Sequence, residues 1–378
     1  LKTCKRCILN DEIPTVTLDR NGVCNYCKLH HEWETTYVAD GLSRYKTDGL
    51  TRLIKQIQRE RKKNSRYDCI VGISGGCDSS YLLMLVKDHG LNPLAVHWNN
   101  GWNTEIAENN VIKVVKRLGV DLCIVGMNQI EYDDICHSFL LASVPDADIP
   151  NDIALTTVLY MAAEAFNVTN ILDGHSYRTE GTCPIGWSYM DARYIQSVQE
   201  KYGSIPLETF PNLWLPKWVR WLNMGIKRPR LLWYLNYDKK EAQRVLRQRF
   251  KWQWYGGHHC ENKYSMFVGN YLQPQKFGID LRYIEYSALI RSGQMSQRTA
   301  LDIITDPPEI DEWVIEEVKE RLRLGIGDLE TIMAMPIKTH LDYDTYRAEF
   351  KRLEPLFSKL VRDKAIPNTF YQKYVLSS

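Results

Sequence analysis

Residues Ser74-Gly75-Gly76-Cys77-Asp78-Ser79 constrain the fold of this chain more than any other stretch, because of what flanks them. Asp68-Cys69-Ile70-Val71-Gly72-Ile73 is a short apolar run of the kind a buried parallel strand shows. Ser79 to Lys87 reads as a helix opened by hydroxyl residues that can cap it. A strand, a glycine turn and a helix N-terminus bring several backbone N–H groups and the positive end of a helix dipole to one point, which suits phosphate. Gly75 and Gly76 permit unusual backbone angles and let phosphate oxygens approach the main chain. Two glycines alone fit a tight turn without a ligand. Ser74, Asp78 and Ser79 at these offsets point instead to the diphosphate of ATP, with Asp78 as a partner for Mg²⁺ and the two hydroxyls as donors. The pattern matches neither GxxxxGK[ST] nor GxGxxG, and Cys77 occupies a position with no evident chemistry.

The surrounding sequence predicts an α/β domain with a doubly wound parallel sheet. Asn92–Trp98, Val120–Val125 and Asn170–Asp173 read as further strands, with an amphipathic helix over Thr104–Leu118 and another from about Ile153 to Phe166. In such a sheet ligands bind beyond the carboxyl ends of the strands, which brings the loop after Ile73, His97–Asn99 and Gly174–Glu180 to one place. The C-terminal third reads as helical, for example Trp313–Leu324 and Tyr343–Leu360. Expected units are a cysteine-knuckle module over 1–45, the nucleotide domain over 46–200 and a mostly helical region over 201–378 that meets substrate or partner. No apolar run approaches membrane-spanning length and no export signal is evident, so a cytoplasmic protein is expected.

Cys4, Cys7, Cys24 and Cys27 form C-x2-C-x16-C-x2-C, a spacing that reads as a structural zinc site. Four thiolates leave no open coordination position, and the ion would fold a piece too small to hold itself together. An iron–sulfur cluster is the alternative, since it too takes four thiolates. The other six of ten cysteines are scattered, which fits a reducing compartment.

The Ser74–Ser79 loop resembles the SGGxDS loop of the PP-loop, or N-type, ATP pyrophosphatase superfamily. That resemblance implies adenylation of an oxygen with release of pyrophosphate. It implies that His97 and Gly174 lie at the adenosine and adds His175 and Arg178 as nucleotide-binding candidates. Asp173–Gly181 is similar to the second superfamily signature, but Arg178 and Thr179 stand where acidic residues are expected, leaving Glu180 as the carboxylate candidate. More narrowly, Cys4–Ile8 with Cys24–Cys27, the loop, Ser143–Pro150, Gly174–Gly181 and Lys276–Asp280 together resemble the N-acetyl sugar amidotransferases of surface-polysaccharide (lipopolysaccharide, O-antigen) biosynthesis, the WbpG/PseA type. The resemblance implies an ATP-dependent ligase that converts the acetamido group of a sugar or nucleotide sugar to an acetamidino group. It further implies ammonia delivered by a separate glutaminase subunit paired with a cyclase-like barrel subunit. Adenylating the amide oxygen makes it a leaving group that ammonia displaces; the protein must align the atoms and exclude water.

Asp146 and Asp148 bracket a turn where they can hold sugar hydroxyls or relay a proton, although Asp152 can equally cap the helix after it. His258–Lys263 is dense in acid–base groups: His259 and Glu261 are proton-transfer candidates and Lys263 a counter-charge for phosphate. Between Leu213 and Trp254 lie six tryptophans and eleven Lys or Arg against two acidic residues, whereas Asp302–Glu330 holds ten acidic and three basic ones. The basic window can stack bases and hold phosphates, or its charge can be neutralised by the acidic segment packing nearby, with its tryptophans in the core, against a partner or stacked on the sugar. Two other functions remain open from sequence. A PP-loop tRNA-modifying enzyme, thiolase or lysidine-type, would use that window and, for thiolation, Cys77, Cys183 or Cys260. A zinc-bearing scaffold would have lost ATP binding. The net charge of +2 and the lack of a recognisable RNA-binding module disfavour nucleic acid.

Overall fold

The structure, a computed structural model, describes residues 1–38, 46–257, 259–363, 366 and 368–376. His258 and the 1–45 boundary therefore lie outside or at the edge of the described residues. Four strands, β1 (Cys69–Gly72), β2 (Pro93–Asn99), β3 (Asp121–Gly126) and β4 (Ile171–Leu172), form a parallel sheet in the order β3-β2-β1-β4. Cys69 pairs with Pro93, Leu94 with Asp121 and Ile70 with Ile171. The helices are α1 (Asn25–Trp33), α2 (Lys46–Glu60), α3 (Cys77–Asp88), α4 (Glu105–Leu118), α5 (Gln129–Ala142), α6 (Ile149–Ala165), α7 (Ala192–Tyr202), α8 (Leu215–Asn223) and α9 (Lys239–Phe250). They continue as α10 (Lys263–Phe267), α11 (Arg282–Arg291), α12 (Gln297–Ile303), α13 (Glu312–Arg321), α14 (Asp328–Ala334), α15 (Arg347–Arg352), α16 (Glu354–Arg362) and α17 (Asn368–Tyr371).

Strand alternation sorts the side chains onto two faces. Ile70, Leu94 and Val96 enter one core with Ile135 and Phe139 of α5 and Val158 of α6. Cys69, Val71, Ala95 and Leu172 enter the other with Leu83 and Val86 of α3 and Val111 and Val114 of α4. Helices on both faces of a parallel sheet make this the doubly wound α/β arrangement the sequence predicts. The cores continue across residue 200: α9 packs on α3 and α4 through Leu246 and Phe250.

Local chemistry sets the element ends. Thr104 caps α4 by accepting from the Ala107 N–H, and Gly119, at φ 61°, ends it in the left-handed conformation. Helix α6 starts at Ile149, four residues before the expected start, so Asp152 sits in its first turn and Asp148 is the cap residue, without a side-chain capping bond. Pro150 explains the early start, because its fixed φ and missing N–H suit the first turn. The expected helix over 343–360 is two, α15 and α16, divided where Pro355 enters the first turn of the second.

The N-terminal module has its own small core, in which the four cysteines, Leu9, Ile13 and Val16 meet Trp187, Ile279 and Ile284. It is fastened to α11 and α12. The Ile8 N–H donates to Ser287 Oγ (3.3 Å), and the Gln297 amide donates to the Cys4 and Cys7 carbonyls (3.0 and 2.9 Å). Among the described residues no helix is long and apolar enough to cross a membrane.

Candidate functional site

The loop after β1 lies where the strand order turns back, with β2 on one side of β1 and β4 on the other. Gly75 has φ +85°, and a Cβ there would meet the Ala107 carbonyl oxygen at 2.1 Å, so only glycine fits between the loop and α4. Its carbonyl accepts from Trp252 Nε1 (2.9 Å) and Asn110 Nδ2 (3.3 Å). The Ser74 and Gly76 N–H groups donate to Ser79 Oγ and Ser74 Oγ, each at 3.2 Å. Gly174 packs so closely on the start of α3 that a Cβ would stand 2.7 Å from the Ser79 nitrogen.

Oxygens of the type a phosphate would present already face this cradle. The Cys77 N–H donates to Tyr255 Oη (3.2 Å), and Ser74 Oγ donates to Glu261 Oε1 (3.4 Å). Glu261 Oε2 is buried with no hydrogen-bond partner. Glu261 is thus brought to the loop from 187 residues away. Asp78 accepts from Tyr237 Oη and lies 3.9 Å from Lys239 Nζ, which is itself 3.3 Å from Glu285. Burial opposes the Lys239 charge, but Asp78 and Glu285 outweigh it and hold the ammonium above its usual range.

At the end of β4, Asp173 is clamped by Arg228 (3.1 and 2.8 Å) and Arg230. Burial alone would raise its pKa; the two guanidinium groups instead hold it well below the usual carboxylate range. Burial, then Arg230, lowers His175 to about 4, so the ring is neutral at neutral pH. Trp233 Nε1 donates to His175 Nδ1 (3.3 Å), leaving Nε2 as the N–H, 3.9 Å from Glu180. Burial and the nearby Asp78 carboxylate push Glu180 well above the usual carboxylate range.

Several sequence-predicted residues have other duties. His97 is buried; its Nδ1 donates to the Ile73 carbonyl (2.8 Å) and Nε2 accepts from Asn103 (3.3 Å), which ties the ring to the strand that leads into the loop. Arg178, expected at the nucleotide, commits its donors to Glu34, Asn236 (2.6 Å) and the Tyr237 and Ser292 carbonyls (both 3.4 Å), fastening the N-terminal module to the later helices. Lys263, expected at phosphate, pairs with Glu317 of the acidic segment. Asp146 is buried, accepts from the Tyr189 N–H (2.7 Å) and Tyr194 Oη (3.3 Å), and is pushed up to about 7 by burial. Asp148 keeps a buried oxygen without a partner, and burial with the Asp152 and Glu261 charges raises it well above normal. His259, at φ +58°, bears on Asp152 from the same side.

The basic window is not neutralised by the 302–330 segment, whose α13 packs on α10. Among the described residues five of its eleven cations, besides Lys239, pair with carboxylates of the α/β domain: Lys227 with Glu60 (2.6 Å), Arg220 with Glu164 (2.6 Å), Arg228 and Arg230 with Asp173, Arg249 with Asp88 (2.5 Å). Trp221, Trp233 and Trp252 are buried. Sequence reasoning missed Tyr237, Lys239, Arg228, Arg230 and Tyr255 as site residues, although their density in one window was the signal.

The four-cysteine cluster fits a single metal ion. All its sulfurs lie within 4.8 Å of one another, with Cys4 to Cys27 at 3.8 Å and Cys7 to Cys24 at 3.7 Å. A tetrahedral zinc with Zn–S bonds of about 2.3 Å sets its sulfurs about 3.8 Å apart, whereas the irons of a cluster would hold them farther apart. Without a metal the four thiols share their protons unequally: hydrogen bonds from Cys24 and Cys27 lower Cys4 and Cys7, the latter to about 7, and the same contacts with burial raise Cys24 and Cys27.

Residues 261–356, about a quarter of the chain, match the family model described as LPS biosynthesis protein WbpG-like, C-terminal domain. A curated relative, the uncharacterized protein MJ1599 of Methanocaldococcus jannaschii, is 24% identical over 263 residues, 69% of this chain and 80% of its own length. Solved structures show faint likeness. NMN synthetase from Francisella tularensis has 13% identity and TM-score 0.27, over 61% of this chain and 93% of that one. The NH3-dependent NAD synthetase of Campylobacter jejuni has 13% identity and TM-score 0.28, over 78% and 97%. The U34-tRNA thiolase NcsA of Methanococcus maripaludis, with its [4Fe-4S] cluster, has 12% identity and TM-score 0.27, over 86% and 97%.

Proposed function

We propose that this chain is an ATP-dependent amidotransferase that replaces the acetamido oxygen of a sugar or nucleotide sugar with ammonia, releasing AMP and pyrophosphate. The observation that carries the reading is the meeting of Ser74 and Glu261. Glu261 opens the stretch that matches the WbpG-like family model, and its carboxylate stands over the phosphate cradle.

In the first step the amide oxygen attacks the α-phosphorus and pyrophosphate leaves. The N–H groups of the loop, the α3 N-terminus and the Ser74 and Ser79 hydroxyls take the charge of the departing diphosphate. Asp78 and Glu180 are the carboxylates able to hold Mg²⁺, which supplies charge neutralisation to the phosphates. In the second step ammonia adds to the imidate carbon and AMP leaves. Glu261, with an unpartnered oxygen beside the loop, takes the proton that ammonium loses. The ammonia is supplied by a separate glutaminase with its barrel partner, or by ammonium salt in their absence. The zinc module is structural.

Incubation with ATP, Mg²⁺, concentrated ammonium and a panel of acetamido nucleotide sugars tests the reading. The expected product has NH in place of the acetamido oxygen. AMP formed only on addition of tRNA would replace the reading with RNA modification.

A further inference from the structure

A cavity of about 210 Å³ lies outside the ATP loop. Ser188, Tyr189, His340, Arg347 and Lys373 line it. Tyr189 and His340 stack at 4.2 Å and 11°, forming a flat aromatic wall. Lys373 Nζ donates to Ser188 Oγ at 3.0 Å. Among the described residues Arg347 makes no ion pair with a carboxylate. Burial and then the charges of Arg347 and Lys373 lower His340 to about 4, with Asp342 opposing, so two cations set the field of the cavity and the imidazole stays neutral.

This cavity and the reaction cleft share one turn. Asp146 accepts from the Tyr189 N–H, at the cavity wall, while Asp148, two residues on, faces Asp152 and Glu261. The Lys373 charge is felt at both Asp146 and Asp152. Arg347 and Lys373 are the charged side chains that line the cavity, which suits an anion.

We propose that the cavity formed by Ser188, Tyr189, His340, Arg347 and Lys373 seats an oxyanion of the amide-bearing substrate, a sugar-linked phosphate or a sugar carboxylate. The inference rests on the amidotransferase reading for the identity of that substrate. The loop at Ser74–Ser79 serves the ATP phosphates, so an anionic acceptor needs a separate cationic seat. Guanidinium matches phosphate or carboxylate oxygens in a two-pronged geometry, and the ammonium adds a point charge.

The test compares steady-state kinetics of the full chain with those of Arg347→Gln, Arg347→Lys and Lys373→Met, with thermal melting to confirm folding. Acceptors are an acetamido sugar linked to a nucleoside diphosphate, its 1-phosphate, and a neutral and a uronic acetamido sugar. The expected result is a KM for the anionic acceptor raised about ten- to hundredfold in Arg347→Gln, an unchanged KM for ATP, and partial recovery in Arg347→Lys. A loss confined to phosphorylated acceptors identifies phosphate; one confined to the uronic acid identifies carboxylate. An unchanged acceptor KM in a folded Arg347→Gln overturns the inference while leaving the amidotransferase reading intact. If the wild type turns over no acetamido acceptor, that reading fails, and calorimetric titration of inorganic pyrophosphate into protein saturated with Mg²⁺ and a non-hydrolysable ATP analogue decides the cavity. Binding lost in Arg347→Gln supports the oxyanion seat; no binding by the wild type overturns it.

Discussion

Glu261 Oε1 stands 3.4 Å from Ser74 Oγ, and the other oxygen of the same carboxylate is buried without a partner. In the proposed reaction this half-satisfied carboxylate transfers a proton. Glu261→Gln keeps the shape and the Ser74 contact. It is expected to lower kcat by about a hundredfold or more with little change in the melting temperature, since positioned acid–base groups contribute about 10²–10⁴-fold. A stopped assay of AMP release beside a thermal melt checks this.

Gly174 tests the cradle from the opposite side. Its α-carbon packs against the backbone of Asp78 and Ser79, which cannot move aside without displacing the α3 N-terminus. Gly174→Ala is expected to weaken ATP binding at least about tenfold and to destabilise the chain by about 1–3 kcal/mol, the range for overpacking. Equilibrium binding of a fluorescent ATP analogue and urea unfolding measure the two effects.

The metal prediction concerns stability before activity. The purified chain is expected to hold about one zinc, with no visible absorption of an iron–sulfur cluster. Cys24→Ala removes a ligand from the centre of the small core and is expected to lose the zinc, lower the melting temperature and open residues 1–38 to protease. Elemental analysis and limited proteolysis report the outcome. Because α11 carries both Ser287, which holds Ile8, and Glu285, which holds Lys239, the same variant is expected to weaken Mg²⁺-ATP binding.

Two buried groups shift stability with pH in opposite senses. Asp146 is raised to about 7 in the folded chain, so the folded state binds its proton more tightly than the unfolded one, and its ionisation costs stability as pH rises from about 4 to about 7. His175 is lowered to about 4, so the unfolded state binds the proton more tightly and stability rises from about pH 4 to about 6.5. Asp146→Asn is expected to be more stable than wild type at pH 8 by about 2–4 kcal/mol, with the difference vanishing near pH 4. Urea midpoints across pH 4–8 give the slope; a constant difference would assign Asp146 an ordinary acidity.

Much of this architecture was legible. The loop, its strand and its helix could be read because glycine conformation, apolar run length and capping are local properties, and the cysteine spacing is likewise local. What stayed hidden depends on distant pairing. Arg178 sits in a signature-like stretch yet turns to Glu34, Asn236 and the Ser292 carbonyl, partners no local pattern reveals. The basic window invited a nucleic-acid reading because sequence displays charge without its neutralising partners; Glu60, Glu164 and Asp173 lie about 50 or more residues away in the chain. Helix α6 begins four residues before Ile153 because Pro150 is at home in the first helical turn, where its missing N–H costs nothing.

Isotope tracing follows the amide oxygen to AMP. An acetamido nucleotide sugar labelled with heavy oxygen in the acetyl carbonyl would be turned over with ATP, Mg²⁺ and ammonium, and the nucleotide products weighed by mass spectrometry. The account predicts labelled AMP, unlabelled pyrophosphate and a sugar that has lost its label. Label in inorganic phosphate with ADP, or AMP without label, would contradict it.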